Sequence, residues 1–333
     1  MLSRVADSCY WLSRYIERAE NNARLLTVNM ELMLDLEDPD ATSVRRHWEP
    51  VLATLEDKEL FTKLHDQITG DDVMEFVTFE RKNPNSIFSC IVSARENART
   101  VREQISSEMW EQVNKLYLYL LSDEARSDYQ NTPHDFFNSV TEGSHLFQGI
   151  TDATMTHGEG WDFLQVGKFL ERADSTSRVL DVKYHILLPL GERVGGNVDL
   201  TQWMAVLRSC SAFEAYLKIH VGNVSAPKVA EFLILNPAFP RSIRYCVGNL
   251  DRAIHRIGGS GIFGFLNEAE RLSGVLAASM NFSTIDMVFL QGLHEYLDST
   301  QKCLVDISTA LSSTYCEWLD EPAETQKQTQ SQS

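Results

Sequence analysis

Tyr15-Ile16-Glu17-Arg18-Ala19-Glu20, continuing to Arg24, Leu26 and Val28, is written again as Phe169-Leu170-Glu171-Arg172-Ala173-Asp174, continuing to Arg178, Leu180 and Val182. Charges repeat together with the apolar positions. Both copies spell basic-x-x-Glu-Arg-x-acidic-x-x-x-Arg, starting at Arg14 and at Lys168. Around the first copy, Val5, Cys9, Leu12, Ile16, Ala19, Ala23, Leu26, Met30 and Met33 step by four and three. That spacing draws one apolar stripe down a long helix. Phe163, Val166, Leu170, Ala173, Ser177 and Leu180 draw the same stripe in the same phase, followed by Tyr184 and Leu187. Glu37-Asp38-Pro39-Asp40 ends the first helix, and Pro189 with the Gly191–Gly196 loop ends the second, because proline cannot continue a helix. Alternating strand patterns of useful length are absent, so the chain reads as all-α.

The repetition extends along the chain. Trp48-x-x-Val51-Leu52 answers Trp203-x-x-Val206-Leu207, and Val73-x-Glu75-Phe76 answers Val229-x-Glu231-Phe232. Pro84-x-Ser86-Ile87-x-x-Cys90 answers Pro240-x-Ser242-Ile243-x-x-Cys246, and the offset stays between 154 and 156. The stripes that follow share a phase too: Ile87, Ile91, Ala94, Ala98 and Val101 against Ile243, Val247, Leu250, Ile254 and Ile257. A repeat of this length predicts an internally duplicated helical bundle of two pseudo-symmetric units, residues 1–157 and 158–319. The tail, 320–333, is Gln-, Ser- and Thr-rich and is expected to be disordered.

Bulk composition narrows the partners. The 333 residues are 43% hydrophobic, enough for a large core, and carry a formal charge of -17. Nucleic acid and anionic membranes are poor main partners for such a surface. No apolar run approaches the ~18–20 residues of a membrane span. Cys9, Cys90, Cys210, Cys246, Cys303 and Cys316 lie far apart, most among apolar neighbours, as reduced core thiols do. The N-terminal stretch enters an amphipathic helix and does not resemble a signal peptide. These features predict a soluble, cytoplasmic protein.

Familiar catalytic and metal patterns are missing, so no metal or cofactor is expected. A di-iron bundle needs two Glu-x-x-His motifs; only Glu142-x-x-His145 occurs, beside Gly143 in what reads as a helix-poor stretch. His294-Glu295 is not followed by the second histidine of a zinc-protease helix. Asp71-Asp72-x-x-Glu75 reads as an acid-rich helix N-terminus, and Gly258-Gly259-Ser260-Gly261 as a helix connection without the lysine of a phosphate loop.

The repeated charges are therefore the candidate site: Glu17, Arg18, Glu171 and Arg172, with catalytic residues unassigned. Adjacent residues on a helix point about 100° apart, so Glu17 and Arg18 cannot pair with each other. Arg18 interrupts an edge of Trp11, Tyr15, Leu25 and Leu32, and Arg172 shares an edge with Phe169, Thr176 and Val179. A guanidinium set into such an edge needs a partner. That partner is either a carboxylate of another helix or the carboxylate or phosphate of a ligand, which arginine grips as a fork. Glu20–Arg24 and Asp174–Arg178 read as exposed i,i+4 pairs. Arg95, Arg99 and Arg102 form a third row, for which Glu17 and Glu20 are the obvious opposing acids, and the row and the Glu-Arg faces are expected to line one groove.

Met1-Leu2-Ser3-Arg4-Val5-Ala6-Asp7…Tyr10-Trp11-Leu12…Arg14-Tyr15-Ile16-Glu17-Arg18-Ala19-Glu20 resembles the opening of the bacterial Alpha-E family, helical proteins of unknown function named for a Glu-Arg motif. Ala94–Arg102, Glu108-Met109-Trp110-Glu111 and Phe169–Asp174 look like its further signatures. The resemblance implies company: members tend to be encoded beside circularly permuted ATP-grasp proteins and transglutaminase-like proteins, which suggests synthesis or cleavage of peptide-like amide bonds. It implies an accessory or partner of an ATP-grasp ligase that binds or presents a peptide-like or anionic substrate. The alternatives are a helical enzyme of the same pathway using Glu17 or Glu171 as acid or base, and a scaffold.

Overall fold

The computed structural model describes residues 1–34, 41–185, 196–222, 224–261 and 264–316. Among them are sixteen α-helices and no strand. The first eight are α1 (Ser3–Leu34), α2 (Ala41–Thr54), α3 (Lys58–Leu64), α4 (Gly70–Thr78), α5 (Ile87–Thr100), α6 (Ser107–Leu120), α7 (Asp123–Asn131) and α8 (Pro133–Thr154). The next eight are α9 (Glu159–His185), α10 (Asn197–Ser209), α11 (Phe213–His220), α12 (Ala226–Leu235), α13 (Ile243–Gly258), α14 (Glu268–Phe282), α15 (Ile285–Gln291) and α16 (Leu293–Leu311). Long and short helices succeed one another in the same order in both sets. A π-helical turn, Ser312–Cys316, ends the described chain. Segment 37–40, the loop after Pro189 and the tail from 320 lie outside the described residues.

The apolar stripes become the core. Cys9, Leu12, Ile16, Ala19, Ala23 and Leu26 on α1 are buried, as are Phe163, Val166, Leu170, Ala173 and Leu180 on α9. Ile87, Ile91, Ala94 and Ala98 of α5 join them, with Ile243, Val247, Leu250 and Ile254 of α13, in one cluster drawn from both halves of the chain. Local signals start the helices. Ser86 and Ser242, each two residues after a proline, cap α5 and α13 by accepting from Ser89 N and Tyr245 N. Thr69 caps α4 in the same way, and Asp71 and Asp72 lie in its first turn. Gly259 ends α13 in the left-handed conformation, φ 75°, so the glycine segment is a helix connection. Among the described residues two non-glycine residues share positive φ, Glu56 (57°) and Ser211 (50°), and they too lie 155 residues apart.

α1 and α9 form the principal seam and run parallel, because successive contacts advance together. Met1 meets Glu159, Tyr10 meets Gly167, and Glu17 meets Arg172. Close approach is set at Gly167, where any Cβ would collide with the Tyr10 carbonyl oxygen. α5 and α8 pack on α1, while α13 and α16 pack on α9. No single helix among the described residues is long and apolar enough to cross a membrane.

Candidate functional site

Both Glu-Arg motifs fall on this seam and pair with each other. Arg18 grips Glu171 as a fork, Nε to Oε1 at 2.6 Å and Nη2 to Oε2 at 3.0 Å. Arg172 Nε donates to Glu17 Oε1 at 2.7 Å. The side chains are largely withdrawn from water: Arg18 is 21% exposed and Arg172 12%, against 6% for Glu171 and 0% for Glu17. Each expected carboxylate partner from another helix is therefore present.

Around Arg18 and Glu171, Arg14 Nε donates to Glu171 Oε2 at 2.8 Å, and its Nη1 to the Tyr10 hydroxyl at 2.9 Å. Arg18 Nη1 reaches Asn85 Oδ1 at 2.7 Å, while the Asn85 carbonyl accepts from Asn22 Nδ2. Burial alone would raise the Glu171 carboxyl; Arg18 and Arg14 overcome it and hold it down at about 2. A carboxylate so held is a poor proton acceptor near neutrality, which counts against Glu171 as a general base. Further along α9, Arg178 Nε donates to Asp174 Oδ2 at 2.8 Å, and the guanidinium also meets Glu56. Asp174 Oδ1 accepts nothing among the described residues. Burial, only partly offset by Arg178, pushes the Asp174 carboxyl above its ordinary range.

The second cluster is densely paired, with Glu17 Oε2, Asn21 Nδ2 and Arg24 Nε left without a hydrogen-bond partner among the described residues. Arg241 Nη1 bonds Glu17 Oε1 at 2.7 Å and Asn21 Oδ1 at 3.0 Å, and its Nη2 meets Glu20. Glu20 also accepts from Ser144 and contacts His145 Nε2. Burial would raise Glu20, yet Arg241 and Arg24 hold it well below the usual carboxylate range. Glu20–Arg24 is thus no exposed pair: Glu20 is 0% and Arg24 9% exposed, because α8 and the loop before α13 close over them. His145, expected in a helix-poor stretch, sits inside α8, since the single Gly143 does not break a helix held by tertiary packing.

Arg95, Arg99 and Arg102 lie elsewhere. Arg95 bonds Asn114 Oδ1 and lies over the rings of Tyr117 and Trp110 on α6, Arg102 lies over Trp110, and Arg99 pairs with Glu96. The expected facing with Glu17 and Glu20 fails because those acids are taken by Arg172, Arg24 and Arg241. Sequence reasoning missed Arg241, the x of Pro-x-Ser; its departure from Asn85 at the same place in the first copy was the available signal.

Beside the first cluster opens a cleft of about 350 Å³, lined among others by Arg14, Arg18, Asn85, Glu171, Asp174 and Arg178. Leu304, Val305 and Ser308 of α16 supply another wall. The Arg95–Arg99–Arg102 row does not line it. Among the described residues no group of three or more His, Cys, Asp or Glu side chains could hold a metal ion.

An all-helical chain whose two Glu-Arg motifs lock to each other across a parallel seam defines the class. The chain belongs to the Alpha-E family, described as "a predicted alpha-helical domain with a conserved ER motif", which matches residues 1–316. Uncharacterised proteins of Mycobacterium bovis and Mycobacterium tuberculosis are each 23% identical over 279 residues. The match covers 77% of this chain and 30% of each relative, so the chain spans under a third of their length. No solved structure matches it.

Proposed function

We propose that this chain is an accessory partner of an ATP-grasp peptide or amide ligase and holds a peptide-like substrate in the seam cleft. The observation that carries the reading is the charge arrangement at Arg14 and Arg18. Two guanidinium groups share the single carboxylate of Glu171 at the edge of a 350 Å³ opening, whose lining also carries Arg178, Asp174 and Glu56. A carboxylate or peptide carbonyl is the complementary group. The family resemblance supplies the ligase, and a transglutaminase-like protein as a further partner.

The test is co-purification with an ATP-grasp protein encoded beside this chain, followed by ATP consumption measured with and without it. Stimulated turnover that a folded Arg14→Gln protein fails to deliver supports the reading. Absence of both association and stimulation overturns it.

A further inference from the structure

The two halves of the seam follow one plan with several exchanges, Lys168 standing for Arg14 and Asp174 for Glu20 among them, and one further exchange shapes the cleft. The residue between proline and serine is Asn85 in Pro84-Asn85-Ser86 and Arg241 in Pro240-Arg241-Ser242. Their backbones are held alike: Asn22 Nδ2 donates to the Asn85 carbonyl, and Thr176 Oγ1, 154 residues after Asn22, donates to the Arg241 carbonyl. From there the Arg241 side chain crosses the seam and bridges Glu17 and Glu20 of α1. The corresponding acids on α9 are Glu171 and Asp174, and Asn85 is too short to bridge them. It turns to Arg18 and Asp57 instead.

What remains is a cleft in which Asp174 has one guanidinium partner, Arg178, where Glu20 has two, Arg24 and Arg241. Asp174 lines it with Oδ1 buried and unpartnered among the described residues. Glu171 already holds Arg14 and Arg18, both reaching its Oε2. Among the described residues its Oε1 accepts only from Arg18 Nε, where Glu17 Oε1 accepts from both Arg172 and Arg241, so one lone pair is left on Oε1. Arg178 beside Asp174 is no obstacle, because Arg24 and Arg241 already share Glu20 in the second cluster. An ammonium is a point charge, whereas a fork spans two carboxylates one helical turn apart.

We propose that the cleft receives the guanidinium group of a ligand, either free arginine or an arginine side chain of a peptide, seated across Glu171 and Asp174 as Arg241 is seated across Glu17 and Glu20. The proposal rests on the reading of this cleft as the ligand site and names the ligand's chemistry. Arg14 and Arg18 then face the ligand's carboxylate or carbonyl oxygens, and Leu304 and Val305 face its methylenes.

The experiment is calorimetric titration of the full chain with L-arginine, agmatine, L-lysine and the tripeptide Gly-Arg-Gly, repeated on Asn85→Arg and Asp174→Asn. Binding of at least one arginine-type probe is expected, at least tenfold tighter than lysine. Free arginine or the tripeptide as the tighter probe identifies the source. Asn85→Arg supplies the guanidinium in cis, so a higher melting temperature and lost binding are expected. Asp174→Asn removes the charge without removing volume and is expected to weaken binding at least tenfold. The proposal is overturned if no guanidinium probe binds, if lysine binds as well as arginine, or if either folded variant binds like the parent chain. Should Asn85→Arg fail to fold, Asp174→Asn alone decides. ATP-turnover stimulation persisting without arginine binding would overturn the guanidinium assignment while leaving the accessory role standing.

Discussion

Arg18 on α1 and Glu171 on α9 are joined by a two-bond fork, and their sequence neighbours Glu17 and Arg172 are joined in the opposite sense. Each motif thus supplies the acid for the other motif's base. This solves a local problem: neighbours on one helix cannot pair, but two parallel helices in register can exchange partners. It also explains why both letters of the motif repeat, since altering one strands a buried charge on the opposite helix.

Stranding that charge sets the first prediction. Glu171→Gln leaves Arg14 and Arg18 without their shared carboxylate, and a loss of ~3–5 kcal/mol is expected, as for other broken buried pairs. Arg24→Ala should be comparably costly because it uncovers the fully buried Glu20. Chemical denaturation of both variants, with a double-mutant cycle on Arg18 and Glu171, measures this. A loss under 1 kcal/mol for Arg24→Ala would contradict the burial described above.

Acid stability follows from the same carboxylate. The folded Glu171 carboxyl lies at about 2, below its ordinary value of 4.5. Its stabilising contribution is complete above the unfolded value and is lost as pH falls through the folded one. Circular dichroism between pH 5 and pH 2 should therefore show steady destabilisation of the parent chain. Glu171→Gln, already weakened, should show a shallower slope in that window.

Much of this was legible in the sequence. The four-and-three stripes of α1, α5, α9 and α13 named the buried residues, since a helix must hide its apolar face. The aromatic edges around Arg18 and Arg172 announced partial burial and a need for partners. Partner identity was less legible, because it depends on how helices distant in sequence meet. Glu20 and Arg24 look like a surface pair until α8 brings Ser144 and His145 against them. Arg95, Arg99 and Arg102 look like a row awaiting acids, yet α6 offers them Trp110 and Tyr117 instead.

If the halves are duplicates, a crystal structure should superpose α1–α8 on α9–α16 in order. Glu17 and Arg18 should fall on Glu171 and Arg172, and Glu56 on Ser211. Failure of α3, α4 and α5 to follow α11, α12 and α13 under the transformation that aligns α1 with α9 would reject duplication.

Gly167 tests the seam spacing. A methyl group there meets the Tyr10 carbonyl, which belongs to a helix backbone and cannot swing aside as a flexible side chain would. Gly167→Ala should cost ~1–3 kcal/mol through forced separation of α1 and α9. Gly149→Ala, inside α8 with open space around its Cβ position, is the matched control and should be neutral or slightly stabilising. Equal melting temperatures for the two variants would show that the seam tolerates displacement.

Lys168 stands where the first copy has Arg14, but it has no carboxylate within ion-pair distance among the described residues. Its ammonium instead lies 4.8 Å from the centre of the Phe169 ring. Burial, reinforced by Arg172, pushes the amine down to about 8, with Glu17, Asp152 and Cys246 acting in the other direction. An amine depressed on folding destabilises the folded state wherever both states are protonated, below about pH 8. The penalty fades as pH rises from there towards the ordinary lysine value of 10.5. Lys168→Met keeps the apolar stem and removes the charge, so it should raise stability at pH 7 by ~1–3 kcal/mol. The advantage should shrink steadily between pH 8 and pH 10.5. A variant less stable than the parent at pH 7 would mean that the ammonium has a stabilising partner, and Lys168 would then belong with Arg14 as part of a working ion-pair network.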